Sequence, residues 1–404
     1  MNVLVVHNRY KEAGGEDRVV DLETTLLARN GHRVLRYTVD NHDVERLSRV
    51  ALACRTFWNH DIYREIRDVI ARERVSVMHV HNTLPLISPA VYYAARAEGI
   101  PVVQTLHNYR LICSNAVCVR DGRPCTACVG AVLPWRAVRH ACYRGSRTAS
   151  AAVAGLVLLH RGLRTWQRRV DAYIAPTEFA RRLFVAGGVP AERIVVKPHF
   201  VDPDPGVGSG RGGYALFVGR LSVEKGVQTL LDAWTQLGSR VPLTIVGDGP
   251  LASKVADAAS RLEGVRWLGR QSQADVQRLM RDAAFVVAPS LAYETFGRVI
   301  IEAFAAGTPV VASADGAAAE LVERARTGLL MRPGDARDLV ANVEWLLAHH
   351  CFRDSMRRAA RYTYEERFTA QGNYRLLMAI YNDVLPRAAR QPTPGVLAGQ
   401  EAAR

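Results

Sequence analysis

The fold of this chain is decided by residues 288–311, which read APSLAYETFGRVIIEAFAAGTPVV. The apolar run over 284–288 predicts a buried strand that ends where this stretch begins. Residues 297–306 have the apolar spacing of a helix, and a Gly-Thr-Pro turn separates them from a second apolar strand over 309–312. The order strand, loop, helix, strand is typical of an open parallel sheet, in which ligands bind where the strands end.

Two carboxylates bracket this loop and helix. Glu294 lies in the loop and Glu302 in the helix, with seven residues between them. One interpretation is that both are solvated surface acids. Glu302, however, lies inside the apolar run VIIEAFAA, where burying a carboxylate without a partner is costly, and a ribose diol would supply that partner. The free N–H groups and positive dipole end at the helix start favour a phosphate nearby.

Short apolar strands alternate with amphipathic helices along the rest of the chain, which predicts the α/β class, and residues 43–74 are predicted as helix. A length of 404 residues favours two domains over one. We predict two Rossmann-like, doubly wound domains, over 1–204 and 205–385, with the boundary near Asp204 in a Pro/Gly/Ser-rich linker. The Ala/Pro/Gly/Gln-rich end, 386–404, is predicted to be disordered.

The second half places its polar loops after strands, so these loops should share one sheet edge. Two cations, Arg220 and Lys225, stand five residues apart across a glycine-bounded turn. Together with exposed backbone N–H groups and a helix start, they suit a diphosphate. Neither a Walker motif nor a G-x-G-x-x-G after the first strand is present. The predicted nucleotide-diphosphate site contains Gly219, Arg220, Lys225, Gly247, Asp248, Gly249, Glu294, Thr295, Phe296, Gly297 and Glu302.

Candidate residues in the first half also follow strands. A loop with Gly14 and Gly15 follows the first strand, and glycine there serves either a turn into the helix or close backbone approach to a ligand. Two later strands end near His79 and His107. A single histidine at a strand end is more often structural than catalytic, but two at one edge favour a site. His107 begins its loop and can face a cleft, so it is the better catalytic candidate.

Residues 111–146 interrupt the alternation with many turn signals and five of the seven cysteines. Cys125-x-x-Cys128 has the spacing of a metal knuckle, and Cys113 and Cys142 lie at distances compatible with a four-cysteine structural zinc site. One cysteine of the five is left over. The alternative is a set of reduced thiols. Redox use is less favoured, because this C-x-x-C does not open a helix after a strand.

The net charge of +14 is concentrated in the first half, where residues 1–200 hold 29 Lys/Arg and 17 Asp/Glu. Residues 134–182 carry ten arginines, and 147–170 read as a basic amphipathic helix or helix pair that includes Trp166. Two interpretations stand: an ordinary solvated face packed on the core, and a surface that meets anionic lipid or a diphosphate-bearing acceptor. Neither a bilayer-spanning run nor a signal peptide is recognisable, so we expect a cytoplasmic protein, either free or peripheral at the inner face of the membrane.

Four segments of the second half, GRLSVEKG, IVGDGP, ETFGRVIIEAFAAGTPVVAS and GLLMRPGD, resemble those of retaining glycosyltransferases of the GT-B type, specifically family four. The Gly14-Gly15-Glu16 loop and the strand end at His107 resemble the first half of the same family. The run HNYRLIC, with the cysteine-bearing insertion, is similar to a bacterial subgroup that builds cell-surface polysaccharides. The resemblance extends along the chain to residue 385.

This resemblance implies two Rossmann-like domains facing a cleft, with a nucleotide-sugar donor on the second, a saccharide or polyprenyl-diphosphate-linked acceptor on the first, and a last helix that returns to the first. It also implies retention of configuration without a catalytic divalent metal, because cations stabilise the departing diphosphate. The residue roles that it implies are diphosphate binding by Arg220 and Lys225, ribose binding by Glu302, sugar contact by Glu294, sugar or phosphate contact by the N–H groups of Phe296 and Gly297, nucleotide contact by Asp248 and Gly249, and contact with the reacting sugar by His107.

Two places depart from the family pattern. KPHFVD at 197–202 stands where the family has Pro-Asn-Gly-Val-Asp, and alanines at 317–319 replace part of a Gly-rich turn, so the donor sugar is left open. The predicted function is hexosyl transfer in surface-polysaccharide synthesis. The alternatives are a nucleotide-sugar epimerase or hydrolase of the same fold and a non-catalytic basic protein that binds nucleic acid or anionic lipid. Nucleic acid is not an expected partner, because no finger, helix-turn-helix or aromatic-interleaved basic strand is recognisable.

Overall fold

The computed structural model describes residues 1–12 and 14–386. The tail predicted over 386–404 lies outside the described residues, apart from Pro386. The strands in the described part are β1 (Asn2–Arg9), β2 (Arg33–Asp40), β3 (Val77–Asn82), β4 (Val102–Thr105), β5 (Val119–Arg120), β6 (Arg123–Pro124), β7 (Ala172–Ala175), β8 (Ile194–Val196), β9 (Ala215–Val218), β10 (Leu243–Val246), β11 (Val265–Trp267), β12 (Phe285–Ala288), β13 (Val310–Ser313) and β14 (Gly328–Met331).

The helices of the same residues are α1 (Gly15–Arg29), α2 (Arg49–Phe57), α3 (His60–Glu73), α4 (Ala90–Ala97), α5 (Trp135–Arg139), α6 (Arg147–Gly162), α7 (Thr165–Arg168), α8 (Glu178–Ala186), α9 (Val227–Leu237), α10 (Ala252–Arg261), α11 (Gln273–Asp282), α12 (Arg298–Ala305), α13 (Gly316–Leu321), α14 (Ala336–Ala348), α15 (His350–Arg367) and α16 (Ala370–Val384). In residues 1–12 and 14–386, none of them combines the length and apolar character that a membrane crossing requires.

Two parallel six-stranded sheets form the frame of the molecule. The first has the strand order β2-β1-β3-β4-β7-β8 and the second the order β11-β10-β9-β12-β13-β14. Both sheets are covered on two faces, because alternate side chains of one strand enter different apolar clusters. In β1, Leu4 and Val6 join one cluster, whereas Val3 and Val5 join another. The predicted α/β class with two doubly wound sheets is confirmed.

The strand order of each sheet places a crevice at the edge where the strands end. In the second sheet the order reverses direction between β9 and β12, and in the first sheet between β1 and β3. Loops that leave neighbouring strands at such a point diverge to opposite faces of the sheet, which opens room for a ligand. The loops after β1, β9 and β12 leave at these points and carry many of the predicted site residues, and the loops after β4 and β10 carry others.

The last helix, α16, belongs to the core of the first sheet. Tyr374 and Tyr381 are buried in the cluster that contains Val3 and Val5 of β1. The hydroxyl group of Tyr381 lies 2.7 Å from Nδ1 of His79 on β3. The chain therefore returns from the second sheet to complete the first. The predicted boundary near Asp204 falls between β8 and β9, which are the last strand of the first sheet and the first strand of the second.

The helix predicted over 43–74 is divided into a 3₁₀ segment (Asn41–Arg46), α2 and α3. Two N-cap residues make these divisions. The Ser48 side chain accepts a hydrogen bond from the N–H of Ala51, and Asn59 accepts one from Ile62. Asn59 also donates to the carbonyl group of Leu86 and so ties the start of α3 to a neighbouring loop.

Candidate functional site

A cleft of about 660 Å³ opens where the strands of both sheets end. Loops after β1 and β4 form one wall, and loops after β9, β10 and β12 form the other. Gly297 lines a smaller adjoining pocket with Glu294 and Phe296, whereas Gly249 and Glu302 line neither space. The predicted residues that the structure brings together in the main cleft are Gly14, Gly15, His107, Gly219, Arg220, Lys225, Gly247, Asp248, Glu294, Thr295 and Phe296.

Two glycines allow the loops of the second wall to approach one another. At Gly226 φ is 72°, and a Cβ atom would lie 1.9 Å from the carbonyl oxygen of Pro289. At Gly247 φ is 135°, and a Cβ atom would lie 1.9 Å from the carbonyl oxygen of Gly219. Only glycine fits such contacts. They bring Lys225 beside the loop that follows β12.

The two predicted cations differ in their surroundings. The Lys225 ammonium donates to Oε1 of Glu294 at 2.9 Å, and the hydroxyl group of Ser290 donates to the same oxygen. Arg220 is exposed and lines the cleft, and none of the described side chains pairs with its guanidinium. An anion entering the cleft would therefore meet one free cation and one that must exchange its carboxylate partner.

The partner of Glu302 is a side chain that the sequence patterns did not single out. Arg298 donates to Oε1 of Glu302 at 2.5 Å, one helical turn away along α12. Arg298 also donates to the carbonyl oxygen of Gly15 at 3.4 Å and so joins α12 to the first half. The carboxylate of Glu302 therefore already has a partner within the protein. Its contact with a ribose stays a prediction. The i, i+4 spacing of Arg298 and Glu302 in the sequence could have indicated this ion pair.

The two walls of the cleft touch through the loop after β12. The Thr295 hydroxyl group donates to the carbonyl oxygen of His107 at 2.7 Å, and the Thr177 hydroxyl group donates to the carbonyl oxygen of Thr295 at 2.8 Å. The hydroxyl group of Tyr109 reaches the carbonyl oxygen of Glu294 at 3.4 Å. The residues predicted to contact the donor and the residue predicted to contact the reacting sugar are therefore held against each other.

A column of four histidine rings runs from the core of the first half to the cleft. Successive ring centroids are separated by 4.3 Å from His79 to His81, 5.1 Å from His81 to His107, and 5.4 Å from His107 to His199. Burial lowers the pKa of His79 to about 4 and holds the pKa of each of the other three well below its usual value. The column is therefore neutral at pH 7.

Buried partners select the tautomer of His107. Nε2 of His81 and Oε2 of Glu23 are buried, have no hydrogen-bond partner among the described residues, and face each other at 3.7 Å. The other oxygen of Glu23 accepts a hydrogen bond from the ammonium group of Lys197 at 2.6 Å. The proton of His81 therefore belongs on Nε2, and its Nδ1 accepts the hydrogen bond that Nε2 of His107 donates at 2.8 Å. His107 is left with an unprotonated Nδ1 that can accept a hydrogen bond from a ligand.

Glu16 is a second site residue that was not predicted. Its Oε2 accepts hydrogen bonds from Tyr10 and Asn108, each at 3.2 Å, and Oε1 is buried without a partner among the described residues. Burial raises the pKa of Glu16 from 4.5 to about 8, although the two hydrogen bonds favour the charged form. A carboxyl group in the cleft is therefore protonated at pH 7. Its position directly after Gly15, a predicted site residue, could have indicated that Glu16 belongs to the site.

The raised pKa of Glu16 should make stability fall as pH rises. Between pH 4.5 and about 8 the folded protein keeps a proton that the unfolded chain has lost, so raising the pH favours unfolding. We expect the melting temperature of Glu16→Gln to fall less than that of the wild type when the pH is raised from 5.5 to 8.5. The measurement is thermal unfolding at both pH values. Glu12→Gln, at the exposed rim of the same cleft, should keep the wild-type slope; equal slopes in all three proteins would contradict the assignment.

Two further predictions concern residues away from the cleft. Cys113, Cys125, Cys128 and Cys142 line one small cavity inside the insertion. Trp166, which the membrane interpretation placed near the lipid interface, is only 5% exposed and packs in the core beside Tyr92. The interpretation that Trp166 lies at a membrane interface is therefore wrong, because its side chain is buried in the core, whereas Leu159 and Leu163 of the same segment are exposed.

Two family models match the chain. Residues 13–205 match the model described as Glycosyltransferase Family 4, and residues 212–349 match the model described as Glycosyl transferases group 1. The division between the two matched regions lies between β8 and β9, where the chain passes from one sheet to the other.

Curated relatives share parts of the chain. A glycogen synthase of Mycobacterium tuberculosis is 35% identical over 188 residues, which is 44% of this chain and 44% of that enzyme. A phosphatidyl-myo-inositol mannosyltransferase of Mycobacterium leprae is 31% identical over 206 residues, which is 48% of this chain and 54% of that enzyme. The matched regions span about half the length of these relatives.

A solved structure shares the architecture over almost the whole chain. Alr3699/HepE of Anabaena, crystallised with UDP, superposes with a TM-score of 0.68 at 19% sequence identity. The superposition covers 94% of this chain and 99% of that one. At this level of identity the similarity establishes the arrangement of the two sheets.

Proposed function

Because the chain belongs to the GT-B glycosyltransferases of the family 4 type, we propose that it transfers a hexose-type sugar from a nucleotide-diphosphate sugar to a hydroxyl group of a saccharide or lipid-linked acceptor. The reaction retains the configuration of the anomeric carbon and serves the synthesis of surface polysaccharide. The observation that carries this proposal is the cleft, in which Arg220, Lys225 and the start of α12 lie opposite the loop of His107.

The second half supplies the donor site of this proposal. Arg220 and Lys225 bind the diphosphate, and the N–H groups at the start of α12 bind phosphate or sugar oxygens. Lys225 leaves Glu294 for the diphosphate, which frees the Glu294 carboxylate to accept a hydrogen bond from a hydroxyl group of the donor sugar. One movement of the Lys225 side chain thus prepares both contacts.

The chemical step moves negative charge onto the leaving group. The bond from the anomeric carbon to the diphosphate breaks, the acceptor oxygen bonds to the same face, and the acceptor proton passes to the departing diphosphate. Arg220 and Lys225 stabilise the charge that this departing group gains, without a catalytic divalent metal. The neutral His107 accepts a hydrogen bond at Nδ1 from a hydroxyl group of the transferred sugar and so fixes its orientation.

The first test is a thermal-shift panel of UDP, GDP and ADP and their glucose, mannose and galactose derivatives. We expect one nucleoside diphosphate to raise the melting temperature, and UDP is the natural first choice because HepE was crystallised with it. With the matching donor and an acceptor, NMR of the product should show the anomeric configuration of the donor. Added Mg²⁺ or Mn²⁺ should not raise the rate. Inversion at the anomeric carbon, or no stabilisation by any member of the panel, would contradict the proposal.

The same experiment separates the alternatives. An epimerase or hydrolase of this fold consumes the donor at the same rate without an acceptor, whereas the proposed enzyme depends on one. A non-catalytic basic protein consumes no donor and binds nucleic acid with a steep dependence on salt concentration. The arrangement of two cations and a helix start at one cleft favours an enzyme that acts on a nucleotide-diphosphate sugar over the non-catalytic protein.

We place the peripheral membrane contact of this proposal in the insertion, at residues 132–139. Val132, Leu133 and Trp135 are exposed, and the guanidinium groups of Arg136 and Arg139 lie within 6 Å of the Trp135 ring. Exposed apolar side chains can insert among lipid chains, and the neighbouring arginines are attracted to anionic headgroups. This position replaces the buried Trp166.

Vesicle sedimentation tests the contact. We expect the protein to sediment with vesicles that contain phosphatidylglycerol and to stay in solution with phosphatidylcholine alone. Replacing Val132, Leu133 and Trp135 together by serine should abolish sedimentation, because it removes the exposed apolar side chains. Tyr362→Ser removes a side chain that is 57% exposed elsewhere and should sediment as the wild type does. Unchanged sedimentation of the triple variant would contradict this position.

A further inference from the structure

The insertion brings four cysteines from three segments around one small cavity. Cys113 precedes the short β5–β6 hairpin, Cys125 and Cys128 follow it, and Cys142 follows α5. The cavity that their side chains line has a volume of about 20 Å³, room for one water-sized sphere. All four are free thiols.

Local backbone structure presents the C-x-x-C pair as a turn. The N–H of Cys125 donates to the carbonyl oxygen of Cys118 at 2.7 Å, and the N–H of Val129 donates to that of Thr126 at 2.9 Å. The second of these bonds closes a turn over residues 126–129, so the chain turns at the C-x-x-C pair, as it does in zinc knuckles.

We propose that Cys113, Cys125, Cys128 and Cys142 bind one structural zinc ion. Four thiolates form a closed tetrahedral site that leaves no position for substrate, with sulfur atoms about 3.8 Å apart. Among the described residues, no three cysteine Sγ atoms lie within 4.8 Å of one another, so binding turns the thiols inward by rotation about χ1. Arg120 also lines the cavity and offsets the negative charge of a four-thiolate site.

The insertion needs such a crosslink because it has little secondary structure of its own. Its strands are two residues long and α5 has five residues. A segment of this size rarely buries enough apolar surface to hold one conformation without a metal or disulfide. Ala116 and Val117, three and four residues after Cys113, line the cleft, so the zinc ion would fix the wall next to His107.

A histidine-containing site elsewhere does not compete for this assignment. Glu23, His79 and His81 lie close enough to share an ion. The ammonium group of Lys197, however, is 2.6 Å from Glu23, and both ring nitrogens of His79 already contact hydroxyl groups, of Tyr381 and Thr105. A cation beside the would-be ligands opposes a second cation, so these residues form a hydrogen-bonded core.

Metal content decides the proposal. Protein purified without chelator should contain one zinc ion per chain by elemental analysis. Protein loaded with Co²⁺ instead should show thiolate-to-cobalt charge transfer and the absorption bands of tetrahedral cobalt. Cys125→Ser/Cys128→Ser should lose the metal, whereas Cys54→Ser/Cys351→Ser, which changes two exposed cysteines, should keep it. Cys118→Ala should also keep the metal, because Cys118 does not line the cavity.

If the double variant fails to fold, the reactivity of the cysteines in the wild-type protein tests the proposal instead. A thiol-specific dye should react at once with Cys54 and Cys351 and reach the four ligands only after a strong chelator removes the ion. Undamaged protein without zinc, or a Co²⁺ spectrum that lacks thiolate charge transfer, would overturn the assignment. Zinc loss in Cys118→Ala would overturn the ligand set.

Discussion

Replacing Lys225 by alanine is expected to lower kcat by about 10²-fold or more. The ammonium group of Lys225 lies at the donor wall of the cleft, where the proposed reaction places negative charge on the departing diphosphate. Its loss removes a contact that strengthens in the transition state and also leaves Glu294 without its ion-pair partner. The measurement is kcat with the donor identified by the thermal-shift panel.

The control for this prediction is Lys254→Ala, which removes an exposed lysine on α10 away from the cleft. It should keep the wild-type kcat. Lys225→Arg retains a cation with a different shape and should recover part of the lost activity. If Lys225→Ala turned over at nearly the wild-type rate, the lysine would not stabilise the leaving group.

The second large effect concerns stability. Lys197→Met is expected to lower the free energy of unfolding by about 3–5 kcal/mol, because it leaves the carboxylate of Glu23 buried and unpaired. Both side chains are 1% exposed, and the Lys197 ammonium also donates to Oδ1 of Asn373 on α16 at 2.9 Å. The ion pair therefore joins three segments of the first core. Urea unfolding, followed by its midpoint, measures the effect.

A double variant separates the unpaired charge from the loss of packing. Lys197→Met/Glu23→Leu removes both charges and should recover part of the lost stability, since buried ion pairs can be replaced by apolar side chains at little cost. The recovery is incomplete because Nε2 of His81 also loses the carboxylate that faces it. Lys254→Met, at an exposed position, should have the same urea midpoint as the wild type. A single variant as stable as the wild type would contradict the role of the pair.

The fold could be predicted because its signals are local. Apolar runs of four or five residues between polar turns identify buried parallel strands, and the turn residues identify the loops. Once the strands are predicted to be parallel, the loops that follow them must share one edge, and this rule predicts that Arg220, Lys225 and Glu294 lie in one cleft. The fold class and the convergence of most predicted site residues both follow from this rule.

The missing parts of the site depend on contacts between distant segments. Glu16 has a raised pKa because it is buried, and one of its hydrogen-bond partners, Asn108, is ninety-two residues away along the chain. The tautomer of His107 depends on a neighbour from β3 and, behind it, on Lys197. Trp166 has a sequence context that suits either a membrane or a core, and packing beside Tyr92 decides between them. No periodic pattern records such neighbours.

The return of α16 sets the order in which the two halves can be completed during synthesis. The second sheet has all of its strands once Met331 has left the ribosome, whereas the core of the first sheet waits for Tyr381. At a translation rate of about 5–20 residues per second, the first half remains open for roughly 10–35 seconds after its own strands have emerged. The half that is made first is therefore finished last, and its apolar face is a natural client for a chaperone during that interval.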